Sequence, residues 1–367
     1  MTEIQTSLNR QELLSTLSND TFQSLLLAGV SRTFAMTIPE LPAKLSGAVA
    51  SAYLLCRIVD TIEDEVSLSA EQKKYFCSEF IQIVKTGANA EPFALALAPL
   101  LSEQTIPAEH TLIQVVSRVI KITHTFDPNQ IEALACCIKT MAEGMLIFQS
   151  QDLHGGLATL ADMDRYCYYV AGCVGEMLTK LFCHYSPEIT QHKNELLSLS
   201  ISFGQGLQMT NIVKDIFNDA QRGVCWLPQD IFTETGFDLT TLTTERSSDN
   251  FRKGLEHVIS IAHGHLYRAL KYTQLLPSHE TGIRKFCLWA IGMAIVTLKK
   301  IKHNPAFTNA DQVKITRSSV KATILATRLA GRSNALLTLL FNITSRELTT
   351  PGWAYSKTTP IQFTKSP

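Results

Sequence analysis

The fold class of this chain is decided by the stretch Val49-Ala-Ser-Ala-Tyr-Leu-Leu-Cys-Arg57-Ile-Val-Asp60-Thr-Ile-Glu63-Asp64. Its apolar residues cover more than one side of a helix, and such a helix is buried at the centre of a bundle. Asp60, Glu63 and Asp64 share one face, because residues three and four apart on a helix do so. The stretch therefore predicts a buried helix that ends in a cluster of carboxylates.

A second acidic cluster lies far along the chain, in Lys214-Asp215-Ile-Phe-Asn-Asp219, with Arg222 after it. Carboxylates gathered on one helix face repel each other unless a cation or a ligand lies between them. Hard oxygen ligands favour Mg²⁺, with Mn²⁺ as an alternative, and Mg²⁺ commonly takes phosphate oxygens as further ligands. Two such clusters facing each other would hold two diphosphates, although either cluster alone is also typical of a solvated helix face. The predicted metal ligands are Asp60, Glu63, Asp64, Asp215 and Asp219.

The composition excludes several classes of protein. The chain has 367 residues and a formal net charge of zero, with 45% apolar and 18% charged residues. This balance argues against a nucleic-acid partner, which favours a basic surface, and against a disordered acidic chain. The nine cysteines are scattered without a CxxC pair, which favours buried reduced thiols and a reducing cytoplasm over disulfides.

Neither end of the chain predicts a membrane anchor. Residues 1–10 are polar and lack the apolar core of a signal peptide, so they are interpreted as an N-terminal extension. The apolar stretch Phe286 to Leu298 is shorter than the roughly 20 residues that a bilayer span needs. We expect a cytoplasmic protein, with peripheral contact at the inner membrane face as an alternative, and a flexible tail over residues 346–367.

Long segments rich in Leu, Ala, Ile and Met, and mostly free of proline, predict helices. They are residues 46–65, 130–151, 163–185, 194–220, 250–275 and 283–301. Because alternating strand patterns are hard to find, we predict one all-α domain over residues 11–345. Glycines within these segments indicate either close helix packing or room for an elongated apolar ligand. His263 and His265 diverge on a helix, and we expect both at the surface.

Five segments, in order along nearly the whole chain, resemble the squalene and phytoene synthase family of head-to-head prenyl transferases. They are Ser31-Arg32-Thr-Phe34-Ala35, Tyr53 to Asp64, Tyr166-Cys-Tyr-Tyr169-Val-Ala-Gly-Cys-Val-Gly175, Gln208-Met-Thr-Asn211 to Asp219, and Phe286 to Leu298. The last segment is more similar to squalene synthases, whereas the loop from Asp219 to Asp230 resembles that of phytoene synthases. The resemblance implies an isoprenoid-synthase-type helical bundle with a central active-site cavity.

The resemblance also implies a reaction. Two farnesyl diphosphates would condense to presqualene diphosphate, which would then rearrange and be reduced by NADPH to squalene, a precursor in sterol or hopanoid biosynthesis. The alternatives within the family are a non-reducing phytoene or dehydrosqualene synthase and a presqualene diphosphate synthase. Outside the family, the chain would be a non-catalytic helical protein that binds metal or assembly partners, or an isoprenoid carrier. Peripheral membrane contact would serve product release, and the oligomeric state stays open.

The resemblance implies roles for individual polar residues. Contacts to diphosphate are expected from Ser31, Arg32, Tyr53, Arg57, Gln208, Asn211, Lys214 and Arg222. Lys214 departs from the family, which usually has arginine there, so the planar fork for bidentate phosphate contact is lost. Tyr169 matches the tyrosine near the reacting carbons, where its ring would stabilise a carbocation and its hydroxyl would relay a proton. Ordinary packing is the alternative for Tyr169, and a structural salt bridge is the alternative for Arg57.

Apolar and cofactor contacts complete the expected site. The candidates for the prenyl pocket are Phe34, Met141, Met145, Leu178, Phe286 and Met293, and plain core packing is the alternative for each. No GxGxxG follows a strand, so no Rossmann-type nicotinamide site is expected. Lys314 matches a basic residue of the NADPH segment in squalene synthases. Arg317 is displaced by one position, and Ala290-Ile291 replaces the usual Pro-Gln.

Overall fold

The computed structural model describes Leu14, residues 16–149 and residues 151–349, without the side chain of Arg32. The expectations for residues 1–10 and for residues 350–367 of the tail therefore lie outside the described residues. Within the described part, regular structure is helical apart from one isolated bridge between Leu157 and Pro228. The all-α prediction is confirmed. The chain divides into two compact units, and the prediction of a single domain with a central cavity stays a prediction.

The first unit comprises residues up to Gln149 together with Lys180–Tyr185. Its helices are α1 (Asn19–Val30), α2 (Arg32–Thr37), α3 (Ala43–Asp64), α4 (Ala70–Thr86), α5 (Glu91–Leu97), α6 (Pro107–Gln114), α7 (Val116–Thr123) and α8 (Pro128–Gln149). Helix α3 packs against α1, α4, α6, α7 and α8, so it is the central helix of this unit. The burial of most of its residues confirms the prediction made from its apolar sides.

The second unit comprises Ser150–Thr179 and the residues from Ser186 onward. Its helices are α9 (Leu160–Cys167), α10 (Cys173–Tyr185, whose last turn belongs to the first unit), α11 (Pro187–Thr190), α12 (Lys193–Gln221), α13 (Gln229–Glu234), α14 (Asp249–Leu275), α15 (Thr281–His303), α16 (Ala310–Val313), α17 (Arg317–Ala330) and α18 (Asn334–Ser345). The long helix α12 packs chiefly against α14 and α15. Leu348, in the predicted tail, is fully buried after α18.

The predicted helices match the observed ones to within a few residues at each end, with one interruption. The segment expected as a single helix over residues 163–185 begins at Leu160 and contains a π-helical turn, Tyr168–Gly172, between α9 and α10. A π turn carries one extra residue and is found mostly as a single turn, frequently at functional sites. Helical periodicity does not reveal such an insertion, since the apolar pattern continues on both sides of it.

The glycines of the second unit pack helices closely. A Cβ on Gly204 of α12 would lie 2.1 Å from the carbonyl oxygen of Ala171, and one on Gly175 would lie 2.2 Å from that of Ser200. Neither position has space for a methyl group, because the obstructing atoms are backbone. The structure thus favours close packing over ligand space at these two glycines. Together they seat the π turn and α10 on α12.

The cysteines agree with the prediction of reduced thiols. All nine are free, and seven of them are buried. Two helices, α3 and α15, are long and apolar enough to cross a membrane on length and composition alone, although most of each apolar window is buried in the protein. The core helix of a soluble protein has the same character, so the expectation of no transmembrane anchor stays a prediction.

Substitution of Gly204 tests the close approach of the π turn to α12. We expect Gly204→Ala to lower the free energy of unfolding by about 1–3 kcal/mol, because overpacking against a backbone forces it to shift. Gly47 of α3 is the matched control, since a Cβ added there would meet no atom nearer than 3.7 Å. Gly47→Ala should stabilise the helix by up to about 1 kcal/mol. Urea unfolding of both variants measures these changes. An unchanged free energy of unfolding in Gly204→Ala would contradict the packing argument.

Candidate active site

The first acidic cluster lies where α3 ends, and the end of the helix is anchored by a buried carboxylate. Glu65 is only 1% exposed and accepts hydrogen bonds from the backbone N–H groups of Ser67 (2.8 Å) and Ser102 (2.9 Å) and from the hydroxyl of Thr105 (2.7 Å). These bonds outweigh burial and hold the pKa of Glu65 at about 2. The last turn of α3, with Asp60, Glu63 and Asp64, is therefore fixed to the loop before α6.

Arg57 lies among polar groups two turns before the end of the acidic helix and one turn before Asp60. Its Nη2 donates to the hydroxyl of Tyr53 at 2.8 Å, and its Nη1 lies 3.7 Å from carboxylate oxygens of both Asp60 and Glu109. The Tyr53 ring in turn packs on Phe34, with centroids 4.9 Å apart. The Nε atom is buried and has no hydrogen-bond partner among the described residues. One donor of this half-buried guanidinium is thus unpaired among the described residues.

The carboxylate of Asp60 titrates well above its ordinary range. Burial raises its pKa to about 6, and Asp64 and Glu109 add to that rise, whereas Arg57 opposes it. The same surroundings raise the pKa of Glu109, for which burial is again the largest cause. A single guanidinium therefore does not compensate the negative charge that these carboxylates carry when ionised.

Glu63 is the most perturbed member of the cluster. Burial raises its pKa well above the usual range, and the charges of Asp64 and Asp60 raise it further. The ammonium of Lys73 and a hydrogen bond from Gln149 oppose the shift. Lys73 also donates to the backbone carbonyl of Glu63. In the absence of a cation, Glu63 retains its proton at pH values where an exposed glutamate is ionised.

Sequence reasoning missed three residues of this cluster. Glu109 comes from α6, Lys73 from α4 and Gln149 from the end of α8, so each lies on a different helix from the acidic motif. Gln149 follows Met141 and Met145 at intervals of four, so the shared face of α8 was a usable signal. No pattern in the sequence connects Glu109 or Lys73 to the cluster, because their proximity depends on how the helices pack.

The second acidic cluster lies near the C-terminal end of α12. The ammonium of Lys214 lies 3.1 Å from Asp215, and the guanidinium of Arg222 donates to Asp219 at 2.7 Å. Asp219 is buried to 8% exposure, whereas Arg222 is largely exposed. Gly223, with φ of +76°, ends the helix in the left-handed region and starts the predicted loop. Each aspartate of this motif therefore has its own cation.

The other polar residues predicted on α12 differ in exposure. Gln208 is half-buried, and Asn211 is exposed one turn before Asp215. The loop after the helix is tied down in the same unit: Trp226 stacks on Tyr166 with centroids 3.7 Å apart. The carboxylate of Asp230 accepts from the backbone N–H of Leu160, at 3.0 and 3.1 Å, at the start of α9.

Tyr169 lies in the π turn and is partly exposed, whereas its neighbour Tyr168 is buried. The two rings meet edge to face, with centroids 5.4 Å apart. The hydroxyl of Tyr168 donates to Glu176 at 3.0 Å, and burial together with that carboxylate raises the pKa of Tyr168 above its usual range. The two tyrosines are therefore distinct, with Tyr168 committed to the core and the ring of Tyr169 partly accessible.

Ser31 has a structural part in the first unit. Its hydroxyl accepts from the backbone N–H of Phe34 at 3.1 Å and so caps α2, whose first residue is Arg32. The structure describes no side chain for Arg32, so its predicted diphosphate contact lies outside the described residues. Ser31 keeps its hydroxyl proton for donation, since the cap uses the oxygen as an acceptor.

The prediction that His265 lies at the surface is wrong. His265 of α14 is fully buried, and its Nε2 lies 3.6 Å from the carboxylate of Asp164 on α9. Gln205 of α12 donates to the backbone carbonyl of Asp164 at 3.0 Å, so three helices meet at this pair. His263 is only half-buried and lies 2.9 Å from the hydroxyl of Ser345. The error arose because α14 is covered on more than one side.

The predicted pocket residues fall into two sets. Met141 and Met145 are buried in the first unit, with Phe34 half-buried there, and Phe286 and Met293 are buried in the second unit, with Leu178 half-buried. The predicted nicotinamide residues are both exposed: Lys314 lies 3.1 Å from Asp311, and Arg317 begins α17. No three His, Cys, Asp or Glu side chains converge as a ready-made metal site in the described part. The assigned ligand, pocket and cofactor roles stay predictions.

A family model described as squalene/phytoene synthase matches residues 27–319. The chain belongs to the squalene/phytoene synthase family. The segments that carry the acidic motifs, Tyr169 and most of the other predicted site residues lie within that range. The family resemblance read from the sequence is therefore confirmed.

Curated relatives within the squalene/phytoene synthase family are squalene synthases. The enzyme of Eremothecium gossypii is 29% identical over 308 residues, which cover 83% of this chain and 66% of the relative. The squalene synthase of Saccharomyces cerevisiae is 29% identical over 313 residues, with the same coverage, and that of Solanum lycopersicum is 30% identical over 282 residues, covering 76% of this chain and 63% of the relative. The chain thus spans about two thirds of the length of these relatives.

Solved structures share the fold. The complex of TcSQS with the ligand E5700 is 23% identical, with a TM-score of 0.76 over 92% of this chain and 94% of the other. A dehydrosqualene synthase bound to a ligand is 17% identical, with a TM-score of 0.63 over 86% of this chain and 97% of the other. At these identities the likeness establishes the helical fold and no more.

The crowding around Glu63 gives a pH dependence of stability. A carboxyl group whose folded pKa is raised stabilises the fold below its unfolded pKa, and that contribution is lost as the pH rises through the folded pKa. Without metal, the melting temperature should therefore fall between about pH 5 and about pH 8, and Glu63→Gln should remove most of that fall. Differential scanning fluorimetry across this range measures it.

The control for this measurement is Glu143→Gln, which removes an exposed carboxylate of the same unit. It should leave the slope of stability against pH as in the wild type. Equal slopes for Glu63→Gln and Glu143→Gln would show that Glu63 is not crowded in solution.

Proposed function

We propose that the chain is a Mg²⁺-dependent farnesyltransferase that makes squalene from two farnesyl diphosphates through presqualene diphosphate, using NADPH for the final reduction. The observation that carries the proposal is the pairing of carboxylates with cations at two family motifs: Arg57 beside Asp60, and Lys214 and Arg222 beside Asp215 and Asp219. Family membership and the squalene synthase names of the relatives support the choice of reaction.

The donor set of the first cluster fits a divalent cation. Asp60 and Glu63 hold protons more tightly than exposed carboxyls do, because uncompensated negative charge is crowded at the end of α3. Hard carboxylate oxygens in surplus over cations are the surroundings that Mg²⁺ stabilises. Mg²⁺, once bound, would neutralise the diphosphate and stabilise the negative charge that develops on the departing pyrophosphate. Mn²⁺ has the same preference for oxygen and would replace it.

The cations of this chain would bind and orient the diphosphates. Arg57 offers its buried Nε, which has no hydrogen-bond partner among the described residues, and is held in place by Tyr53. Fixing a long side chain before the ligand arrives lowers the entropy lost on binding. The ammonium of Lys214 is a point charge, whereas an arginine would present a planar pair of N–H donors. Its contact to phosphate is therefore less directional than that of an arginine. Arg222, being largely exposed, can leave Asp219 for a ligand with little desolvation.

Tyr169 is assigned to the reacting carbons. Its ring offers a π face to a carbocation, and its hydroxyl would relay the proton lost when the cyclopropane closes, accepting it while passing its own proton on to a neighbouring base. The partly exposed ring supports this role, because a ligand can reach it while the neighbouring Tyr168 is held by Glu176. The π turn sets Tyr169 on a backbone whose hydrogen-bond register differs from that of the flanking helices.

The region of Lys314 has the charge that NADPH requires. Lys314 is exposed, its carbonyl accepts from the ammonium of Lys300 at 2.5 Å, and Arg317 begins the next helix. Three cations in this stretch fit the 2′-phosphate that distinguishes NADPH from NADH. NADPH, once bound, would supply the hydride for the reductive step. Lys314→Ala should therefore raise the KM for NADPH and leave the formation of presqualene diphosphate unchanged.

Product analysis tests the reaction. Purified protein with farnesyl diphosphate and Mg²⁺ should form presqualene diphosphate, and squalene should appear in gas chromatography and mass spectrometry when NADPH is added. A C30 hydrocarbon with a central triene, formed regardless of NADPH, would instead identify a dehydrosqualene synthase. A C40 product from geranylgeranyl diphosphate would identify a phytoene synthase. Absence of diphosphate release would overturn the enzymatic proposal as a whole.

Substitution of the acidic residues tests the metal assignment. Asp60→Asn and Asp215→Asn should each lower kcat by about 10²-fold or more, because each removes part of the charge stabilisation of the leaving group. Folding should be preserved, since fewer carboxylates repel each other in the metal-free protein. Asp249→Asn, at an exposed aspartate of α14, is the control and should retain full turnover. Circular dichroism with initial rates at several Mg²⁺ concentrations would separate a folding defect from a loss of metal binding.

Tyr169→Phe tests the proton-relay role. Loss of general acid–base catalysis typically costs 10²–10⁴-fold in rate, so kcat should fall by about that factor while the KM for farnesyl diphosphate changes little. Tyr168→Phe is the matched control, because the neighbouring hydroxyl bonds Glu176 and should have no part in the chemistry. Equal rates for Tyr169→Phe and the wild type would show that the hydroxyl does not relay the proton.

A further inference from the structure

The last two helices of the second unit carry an apolar surface that the fold leaves open. Leu325 and Leu329 of α17 are 61% and 77% exposed, and Leu336, Leu339 and Ile343 of α18 are 48%, 54% and 59% exposed. Leu325 and Leu329 are one turn apart, and the α18 residues follow at intervals of three and four, so each set forms a stripe. We call these five residues and the cations beside them the C-terminal face.

The exposure is a property of the folded helices rather than of poorly packed ends. Each helix already buries an opposite side, with Thr327 and Ala330 of α17 and Leu337 and Phe341 of α18 inside the protein. Helix α17 packs on α15, α18 packs on α14, and the two helices contact each other. The exposed leucines are thus surplus to what the core of the unit needs.

The same surface is strongly basic. Residues 318–346 contain four cationic side chains and no aspartate or glutamate, in a chain whose formal net charge is zero. They are Lys321, Arg328, Arg332 and Arg346, all of them exposed. Glu347, which follows directly, pairs with Lys299 and His303. Lys321 and Arg328 flank Leu325 and Leu329 on α17. An apolar stripe bordered by cations, without acidic residues, is typical of helices that lie in the interface of an anionic membrane.

We propose that the C-terminal face docks the protein on the surface of a membrane rich in anionic phospholipids. The leucines and Ile343 enter the boundary between headgroups and acyl chains, and the cations remain among the lipid phosphates. Charge complementarity identifies the membrane as the binding partner. The face has positive charge around an apolar centre, so it complements a surface that is both apolar and anionic. The docking is peripheral and does not depend on the reaction proposed above.

Charge also disfavours the other occupants. A second copy docked by the same face would bring two sets of four cations together, which repel. The residues that follow the described part, 350–367, carry Lys357 and Lys365 and no acidic residue, so they do not supply the missing negative charge. An acidic protein partner is the remaining alternative, and the test below separates it, since pure lipid vesicles contain no protein.

Vesicle flotation tests the proposal with the full-length protein. The wild type should float with vesicles of phosphatidylglycerol and phosphatidylcholine in equal parts, and at least tenfold less with pure phosphatidylcholine. Binding should fall as salt rises from about 50 to about 500 mM, because screening shortens the reach of each charge. A cationic residue near an anionic surface is worth about fivefold in binding, so Lys321→Glu with Arg328→Glu should lower binding by more than about 25-fold.

The apolar stripe is tested separately from the charge. Leu329→Ser should lower binding by about tenfold on anionic vesicles, since a leucine no longer enters the interface. Leu95→Ser is the matched control, because Leu95 of α5 is 69% exposed on the other unit. Lys44→Glu with Lys253→Glu is the control for charge, as it reverses two exposed lysines elsewhere. Both controls should bind as the wild type does.

Several results would overturn the proposal. They are no binding to anionic vesicles at low salt, equal binding to neutral vesicles, and an equal loss of binding in the control variants. Concentration-dependent dimerisation that Leu329→Ser abolishes, with no vesicle binding by the wild type, would assign the face to a second copy. Squalene formation in detergent-free buffer should be unaffected by Leu329→Ser, so failure of the membrane proposal and failure of the proposed reaction are distinguishable.

Discussion

The candidate site depends on repulsion between carboxylates at the end of a buried helix. Helix α3 places Asp60, Glu63 and Asp64 on its last turn, and α6 adds Glu109. A domain does not ordinarily gather four acids around two cations, here Arg57 and Lys73, since each ionised carboxylate raises the cost of the next. The surrounding packing must therefore hold them, and Glu65 does so by accepting three hydrogen bonds from the neighbouring loop. In the function proposed above, a divalent cation would reduce this repulsion, and a diphosphate would bind to that cation.

The two acidic motifs reach charge balance in different ways. In the second unit each aspartate has its own cation at 3.1 or 2.7 Å, and the pairs are formed within α12 or just after it. In the first unit one guanidinium is shared between Asp60 and Glu109 at 3.7 Å, and the ammonium of Lys73 acts on Glu63, so four carboxylates face two cations. Metal affinity should therefore be greater where carboxylates outnumber cations. A difference of this kind would let the two diphosphates bind with unequal strength.

Much of the fold was accessible from the sequence. The long helices were predicted to within a few residues because their apolar periodicity is strong and proline marks their ends, as at Pro128. The acidic motifs were found because their spacing is local. Glu109, Lys73 and the Asp164–His265 pair were not found, since each depends on how separate helices pack. Lys73 lies on the next helix along the chain, and the other partners come from distant parts of it. His265 also shows that periodicity on one helix does not reveal how many neighbours cover it.

The π turn between α9 and α10 bears on how this chain can change. One additional residue there rotates the side chains that follow it by about 100° around the helix axis, compared with an uninterrupted helix. The shift allows Asp164, before the turn, and Gly175, after it, to meet the same partner α12. Deleting a single residue from Tyr168–Gly172 would restore regular helical geometry, but it would also rotate α10 so that Gly175 no longer packs against α12. The number of residues in this segment is therefore constrained as well as the identity of Tyr169.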